Sequence, residues 1–377
     1  MRIVVSVLLC CWQSYLIAQT IQVSLFNSKN VTTYTLSVRQ GNYLLSCEDE
    51  KLAEYKRNSI FFINLVGDKI ELRDQYAQIG LFKKIRLSSQ DADGVMLLRG
   101  VNPATEAREY NDDLIFEISG NKLKVVNHIN LEKYIAAVIE AESGINAGLE
   151  YYKAQGVLVR TYTIKNINKH AEEGFNLCDE VHCQAYHGRS ARNPDIYRAT
   201  SLTEGQVLID RDSVLAMTPF HSSCGGQTSA AGIYWQSDLP YLQSVQDPFC
   251  QNHRNASWQK QVSKSEWHSF LQSKGITNPA EYGNYTFTNR QKYFNRNPDI
   301  TMRQIRDQFK LRSTYFSLQT AGETVTFNGR GFGHGIGMCQ IGAMEMAQVG
   351  YTYLDIIHFY FRQVSISNYR EMELNRY

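Results

Sequence analysis

No block of like charge occurs anywhere in the sequence. Its 39 Lys and Arg stand against 37 Asp and Glu, a formal charge of +2. A nucleic-acid partner therefore has no electrostatic support, because backbone binding needs clustered cations. Beyond the first residues there is no apolar run long enough to cross a bilayer. A His-Glu-x-x-His pair is missing, which removes the main support for a zinc peptidase. The glycine-rich stretch Gly331-Phe332-Gly333-His334-Gly335-Ile336-Gly337 does not match GxGxxG, and no Lys-Ser/Thr pair follows it, so nucleotide binding has no motif behind it either. Internal repeats and low-complexity tracts are absent.

What is present points to an exported, strand-rich protein. A length of 377 residues allows two or three domains and a sizeable core. The surplus of Tyr (23) and Phe (17) suits both strands and carbohydrate binding. Arg2, the apolar run Ile3 to Cys11 and the stretch Leu16-Ile17-Ala18 before Gln19 form a signal-peptide pattern, with Ala18 the last residue removed. A lipoprotein signal at Cys10 or Cys11 fits less well, because bulky Leu8 and Leu9 precede them. The expected location is the periplasm or cell envelope. Six cysteines then remain, Cys47, Cys178, Cys183, Cys224, Cys250 and Cys339, and an exported chain permits disulfides whose connectivity cannot be read from spacing.

The pattern along the chain predicts an α+β fold. From Ile21 to about Val126, runs such as IQVSLF, TTYTLSVRQ, SIFFINL and KLKVVNHI alternate β-branched or aromatic residues with polar ones, between turns at Asn42, Gly67-Asp68 and Asp91 to Gly94. At Leu131 the period becomes helical. A second helix is expected over about Leu149 to Lys169, and further helices over WQKQVSKSEWHSFLQ, MRQIRDQFKL and YTYLDIIHFYF. The expected organisation is a signal peptide (1–18), a β-rich N-terminal region (19–122), a mixed α/β core (123–361) with a polar peripheral lobe at about 251–307, and a C-terminal tail (362–377).

Four stretches carry chemistry. In LEKYIAAVIEAESG, the residues Leu131, Tyr134, Ile135, Val138 and Ile139 mark one apolar stripe that continues to Glu142, just before Gly144 stops the helix. Glu140 falls away from the stripe and Glu132 sits in the first turn. A carboxyl held against apolar surface has a raised pKa, as a general acid needs. A Glu facing solvent at a fraying helix end is the other reading, and this stretch taken alone favours it. Next, Cys178 and Cys183 enclose His182, with His170 and His187 nearby, and either zinc ligation or a disulfide is open. Then Phe220-His221-Ser222-Ser223-Cys224-Gly225-Gly226-Gln227-Thr228 reads as a substrate-lining loop. Last, the alternating glycines at 331–337 form a tight loop that presents His334.

Taken in order, LEKYIAAVIEAES, KAQGVLVRTYTIK, CDEVHCQAYHG, FHSSCGGQT…YW…PYLQSVQDP, LRSTYF and GRGFGHGIGMCQIGAMEMAQVGYTYLDIIHFYF resemble the SpoIID/LytB family over roughly Leu123 to Phe361, apart from a polar stretch between Gln251 and Asp307. The resemblance implies a lytic transglycosylase acting on peptidoglycan strands stripped of stem peptides and leaving 1,6-anhydro-N-acetylmuramic acid ends. Its catalytic Glu falls on Glu142, although Ser143-Gly144 stands where the family has Met-Pro. It implies a structural zinc at Cys178, His182 and Cys183. It implies that Tyr186, His221, Ser222, Ser223, Gln227 and His334 position sugar hydroxyls and N-acetyl groups, while Arg160 and Arg330 hold the scaffold or a polar ligand group. Cys224, Cys250 and Cys339 depart from the family pattern, and a Cys224–Cys250 disulfide is the expected consequence. Glu132 and Glu140 become natural controls for Glu142. LytB-like relatives modify cell-wall amidases, so the alternative is a non-catalytic peptidoglycan-binding module that enhances an amidase. The oligomeric state is not legible.

Overall fold

The computed structural model describes residues 19–374 apart from 49, 236, 237, 252, 254, 255 and 288. The expected signal peptide, with Cys10 and Cys11, lies outside the described residues. The chain divides after Leu131 into two compact units, and the fold is α+β.

The first unit is all strand. Its elements are β1 (Thr20–Leu25), β2 (Thr33–Gln40), β3 (Tyr43–Cys47), β4 (Glu50–Tyr55), β5 (Ile60–Val66) and β6 (Lys69–Asp74). They continue with β7 (Gln78–Phe82), β8 (Lys84–Ser89), β9 (Val95–Asn102), β10 (Arg108–Asn111), β11 (Asp113–Ser119) and β12 (Lys122–Asn130). Within this unit one sheet runs β1-β12-β11-β8-β3-β4 and the other β10-β9-β2-β5-β6-β7. The alternation has its usual cause: successive side chains point to opposite faces. Tyr34, Leu36 and Val38 of β2 are buried while Thr33, Thr35 and Ser37 between them are less so. Tyr34 meets Phe116 of the other sheet edge-on at 5.8 Å, which fixes the inner faces. Three strands, β4, β7 and β10, escape the sequence pattern. All three are edges, and β4 and β7 are largely exposed, so they carry little apolar alternation.

Helix α1 (Leu131–Ser143) begins at the boundary residue, and the second unit takes in the rest of it and then α2 (Leu149–Lys165). The latter stops four residues short of the expected Lys169, because Asn166 caps it and donates from Nδ2 to the Tyr162 carbonyl at 2.8 Å. Then come β13 (Leu177–Cys178), α3 (Pro194–Leu202), β14 (Gln206–Ile209) and β15 (Phe220–His221). The stretch expected to be helical from Trp258 is half strand: β16 (Ser257–Ser263) precedes α4 (Lys264–Ser273), and Ser263 and Glu266 make a capping box at the join. The chain continues through β17 (Asn284–Tyr285), α5 (Met302–Phe309), β18 (Tyr315–Ala321) and β19 (Thr324–Arg330). It ends with β20 (Met338–Cys339), α6 (Gln340–Gln348), α7 (Tyr353–Tyr360), β21 (Ser365–Asn368) and α8 (Tyr369–Leu374).

The sheet β16-β19-β18-β17 covers a core of its own, with Trp267 packed on Phe270, Phe294, Phe309 and Phe327. The expected polar lobe is therefore built around aromatic residues, and its sheet extends past residue 307 to Arg330. The expected tail is also structured: β21 pairs with β14, and Tyr369 is buried.

Candidate functional site

Helix α1 is buried almost all round. Tyr134, Ile135, Ala136, Ala137, Val138 and Ile139 are each at most 2% exposed, so the expected single stripe understates its burial. Small residues on its second face, Ala136 and Ala137, leave room for neighbours there. Near its end, half-buried Glu142 accepts one hydrogen bond at Oε1, from the Ala185 backbone N–H at 2.9 Å. Burial pushes its carboxyl above the ordinary value, and the Ala185 N–H offsets only part of this.

The Ser143-Gly144 end is tied down from several directions. Gly144 takes a left-handed φ of 73° and donates to the Glu140 carbonyl at 3.1 Å, the geometry of a glycine helix stop. Tyr151 donates its hydroxyl proton to Ser143 Oγ at 2.7 Å, and Asn193 Nδ2 donates to the Ile145 carbonyl at 2.8 Å. Gln340, the first residue of α6, donates from Nε2 to the Glu142 carbonyl at 3.2 Å.

The neighbouring acids are not idle controls. Glu140 is 7% exposed, against the expectation that it points away from packed surface. Its Oε2 accepts from Ser190 Oγ at 2.8 Å and from the Ala191 and Arg192 N–H groups at 3.1 Å each. Its Oε1 pairs with Arg192 Nε at 2.7 Å. Burial works to raise its carboxyl, but Arg192, the two N–H groups and Ser190 outweigh that and hold it below the ordinary value. Glu132 grips fully buried Arg160 through both oxygens, at 2.9 and 2.5 Å. Arg160 also donates to the carbonyls of Gln206, Thr200 and Gly156, so it braces the scaffold. Arg330 is exposed at the end of β19.

Cys178, His182 and Cys183 converge as expected, and His170 joins them: the four ligand atoms lie within 4.8 Å of one another. No disulfide links any of the six described cysteines. His170 Nε2 lies 3.4 Å from Cys183 Sγ, while its Nδ1 is held by Glu173 at 2.5 Å. A carboxylate behind a histidine that aims its other nitrogen at a shared point is the outer shell of a metal site. The Cys178 thiol donates to Cys183 and holds it down at about 6, towards the thiolate a metal requires. Two imidazoles and two thiolates suit tetrahedral zinc. His170 was within reach of sequence reasoning, but seven residues separate it from Cys178, and only the turn at 171–174 brings it back. Ala185, the donor to Glu142, is two residues past Cys183, so this cluster fixes a loop that touches the carboxyl.

The six expected sugar-positioning residues divide. Tyr186, His221, Ser223 and Gln227 are buried. Tyr186 packs on Tyr134 of α1 at 5.2 Å. Gln227 donates to Ser244 Oγ at 3.1 Å and accepts from the Tyr315 hydroxyl at 3.3 Å. His221 and His334 bracket the Ile336 peptide: Nδ1 of His221 donates to its carbonyl at 3.1 Å, and its N–H donates to Nδ1 of His334 at 3.0 Å. Burial pushes both imidazoles down, His334 to about 4, so both are neutral near neutral pH. Ser222 and His334 remain partly exposed. The two motif loops come together because β15 pairs in parallel with β20. The Ile341 N–H donates to the Ser222 carbonyl at 3.1 Å, one residue from the Gln340 that holds the Glu142 helix end. A Cβ on Gly331 would run into the backbone of Ser223 and Cys224. That close approach is why the loop is glycine-rich.

Half-open pockets of about 410 Å³ beside Ile164, Tyr369 and Met372, and about 520 Å³ beside Phe249, Ile341 and Glu345, are not lined by Glu142.

Residues 119–209 match the family model described as SpoIID, stage II sporulation protein. An uncharacterized protein of Brachyspira hyodysenteriae is 29% identical over 352 residues, covering 90% of this chain and 91% of that one. Stage II sporulation protein D of Bacillus subtilis is 28% identical over 271 residues, 67% of this chain and 78% of that one. The amidase enhancer of Bacillus subtilis is 25% identical over 295 residues, 62% of this chain and 40% of that one.

Proposed function

We propose that this chain, which belongs to the SpoIID family, is a cell-wall enzyme of the periplasm or envelope: a lytic transglycosylase that cleaves between N-acetylmuramic acid and N-acetylglucosamine in peptide-free glycan strands. The observation that carries the reading is Glu142. It stands half-buried at a fixed helix end, with a raised pKa and one N–H holding Oε1. A protonated carboxyl there can donate to the glycosidic oxygen as the bond to the muramic C1 breaks. The carboxylate left behind takes the proton of the muramic 6-hydroxyl while that oxygen attacks C1. The product is a 1,6-anhydro ring, the proton returns to Glu142, and no water is consumed. A second carboxylate, which hydrolases that activate water require, is unnecessary here, and Glu140 is engaged with Arg192 and the 190–192 backbone.

His170, Cys178, His182 and Cys183 would hold zinc, whose contribution is to stiffen the loop. The loop's own work is to keep the Ala185 N–H against Glu142. Ser222 and His334 are the expected residues that remain open to a sugar.

A relative named as an amidase enhancer, together with the burial of four expected sugar contacts, supports a second reading: a glycan-binding module that assists a cell-wall amidase. Product chemistry separates the two. Purified protein incubated with denuded glycan is expected to yield anhydro ends by mass spectrometry, and Glu142→Gln none. Binding without products supports the module, and anhydro ends made by the Gln variant overturn the role of Glu142.

A further inference from the structure

We propose that Cys224, Cys250, Cys339 and Asp247 form a second, buried zinc site that pins three loops of the second unit together. The inference is independent of the proposed activity. The four residues come from three separate motifs: Cys224 from the CGG turn after β15, Asp247 and Cys250 from the Asp-Pro-Phe-Cys turn, and Cys339 from the N-terminus of α6. All four are 0% exposed, and their ligand atoms lie within 4.8 Å of one another. A tetrahedral zinc with bonds of about 2.3 Å to sulfur has ligand edges of about 3.8 Å, so small side-chain rotations close the cluster on an ion. Three sulfurs and one carboxylate oxygen match the softness and ligand number of zinc.

Cys224 Sγ lies 3.1 Å from Asp247 Oδ2, so sulfur and carboxylate already face one another, and backbone donors point at a second sulfur. Cys339 Sγ receives the backbone N–H of Cys224 at 3.2 Å and of Gly342 at 3.4 Å, and it caps the N-terminus of the nine-residue α6. Helix dipole and N–H donors both stabilise a thiolate there. Ser223 Oγ lies 3.2 Å from Cys250 Sγ. Asp247 is oriented like a metal-bound carboxylate: Oδ1 accepts from the N–H groups of Phe249 and Cys250 at 3.1 Å each, and Oδ2 from the Tyr360 hydroxyl at 2.9 Å. A side chain at Gly342 would run into Tyr360 and Asp247, so glycine lets α6 reach the cluster.

A second observation concerns charge. Arg290 is 6% exposed and donates to the carbonyls of Cys224 and Gln227 at 2.7 and 2.9 Å. Its Nη1 has no hydrogen-bond partner, and among the described residues no carboxylate pairs with it. A buried cation without a counter-ion is costly. Zinc with three thiolates and one carboxylate carries a net double negative charge, and Arg290, bonded to the carbonyl of one ligand residue, is its complement. Neutral thiols would leave Arg290 uncompensated, and a Cys224–Cys250 disulfide would leave Cys339 with two donors and no charge to receive them.

The test uses the full mature chain purified without oxygen and loaded with Zn²⁺. Native mass spectrometry of the Cys178→Ser/Cys183→Ser variant, in which the first cluster is disabled, is expected to retain one zinc. Zinc-edge X-ray absorption of that variant is expected to show three sulfur neighbours and one oxygen. Replacing Zn²⁺ with Co²⁺ should give thiolate-to-cobalt charge-transfer absorption, lost on adding Cys339→Ala. If the triple variant does not fold, the absorption spectrum of the double variant still decides. A metal-free double variant, a sulfur count below three, or a disulfide between any two of Cys224, Cys250 and Cys339 in the wild-type chain overturns the proposal.

Discussion

Glu140→Gln is a near-isosteric change that removes one charge from beneath the Glu142 helix end. Gln can still accept from Ser190 Oγ and the two N–H groups, but these bonds lose their ionic partner. A hydrogen bond to a charged group is worth about 1 kcal/mol more than a neutral one, so three such bonds account for about 3 kcal/mol. The Arg192 side chain is 62% exposed, and its ion pair adds at most about 1 kcal/mol. The expected loss is therefore about 3–4 kcal/mol at neutral pH. Its pH dependence follows from direction. Glu140 is held below its ordinary value in the fold, so its contribution is present above the unfolded carboxylate pKa and is lost as pH falls through the folded one. Urea unfolding of wild type and variant, followed by intrinsic fluorescence at neutral and strongly acid pH, should show a gap that closes in acid. A gap below about 1 kcal/mol at neutral pH, or one that persists unchanged into acid, refutes the clamp. Because Ser190 to Arg192 lead into Asn193, which holds the Ile145 carbonyl, the same variant should also loosen the loop beside Glu142.

Glu142→Gln should lower kcat on denuded glycan by about 10²–10⁴-fold. Its stability effect has the opposite sign to that of Glu140. The folded pKa is raised, so the contribution is full below the unfolded pKa and fades as pH rises through the folded one. The Gln variant should melt higher than wild type at neutral pH and no higher in acid, while wild-type activity falls as pH rises through the same transition. A Gln variant that melts lower at neutral pH contradicts the burial argument. Glu173→Gln should weaken zinc binding at the His170 cluster about 10–100-fold, read by competition with a chromophoric chelator, and unchanged affinity would remove Glu173 from that site. Arg160→Met should cost about 3–5 kcal/mol in urea unfolding by taking the buried guanidinium away from Glu132, and adding Glu132→Gln should recover part of it.

Local pattern carried much of the molecule. Nine of the first unit's strands were legible because their side chains alternate between core and solvent, and β4, β7 and β10 were not because edges carry little of that alternation. Helix α1 and the place of Glu142 at its end followed from the 3.6-residue period and from Gly144. The strand half of the stretch from Trp258 was hidden, since the polar residues of β16 are explained only by its pairing with β19.

The candidate site was legible in its parts but not in its assembly. Sequence by itself determined that a helix ends in a carboxylate, that Cys178, His182 and Cys183 are close enough to share a metal, and that glycine-rich loops lie far downstream. Only tertiary structure decided that Glu140 is a buried clamp, that Tyr186, His221, Ser223 and Gln227 face inward, and that Asp247 stands among three cysteines. The reason is range. Periodicity reports which side of its own element a residue occupies, whereas the bonds of Glu142 to Ala185 and Gln340 span 43 and 198 residues. Such contacts exist only once the second unit's other elements have packed.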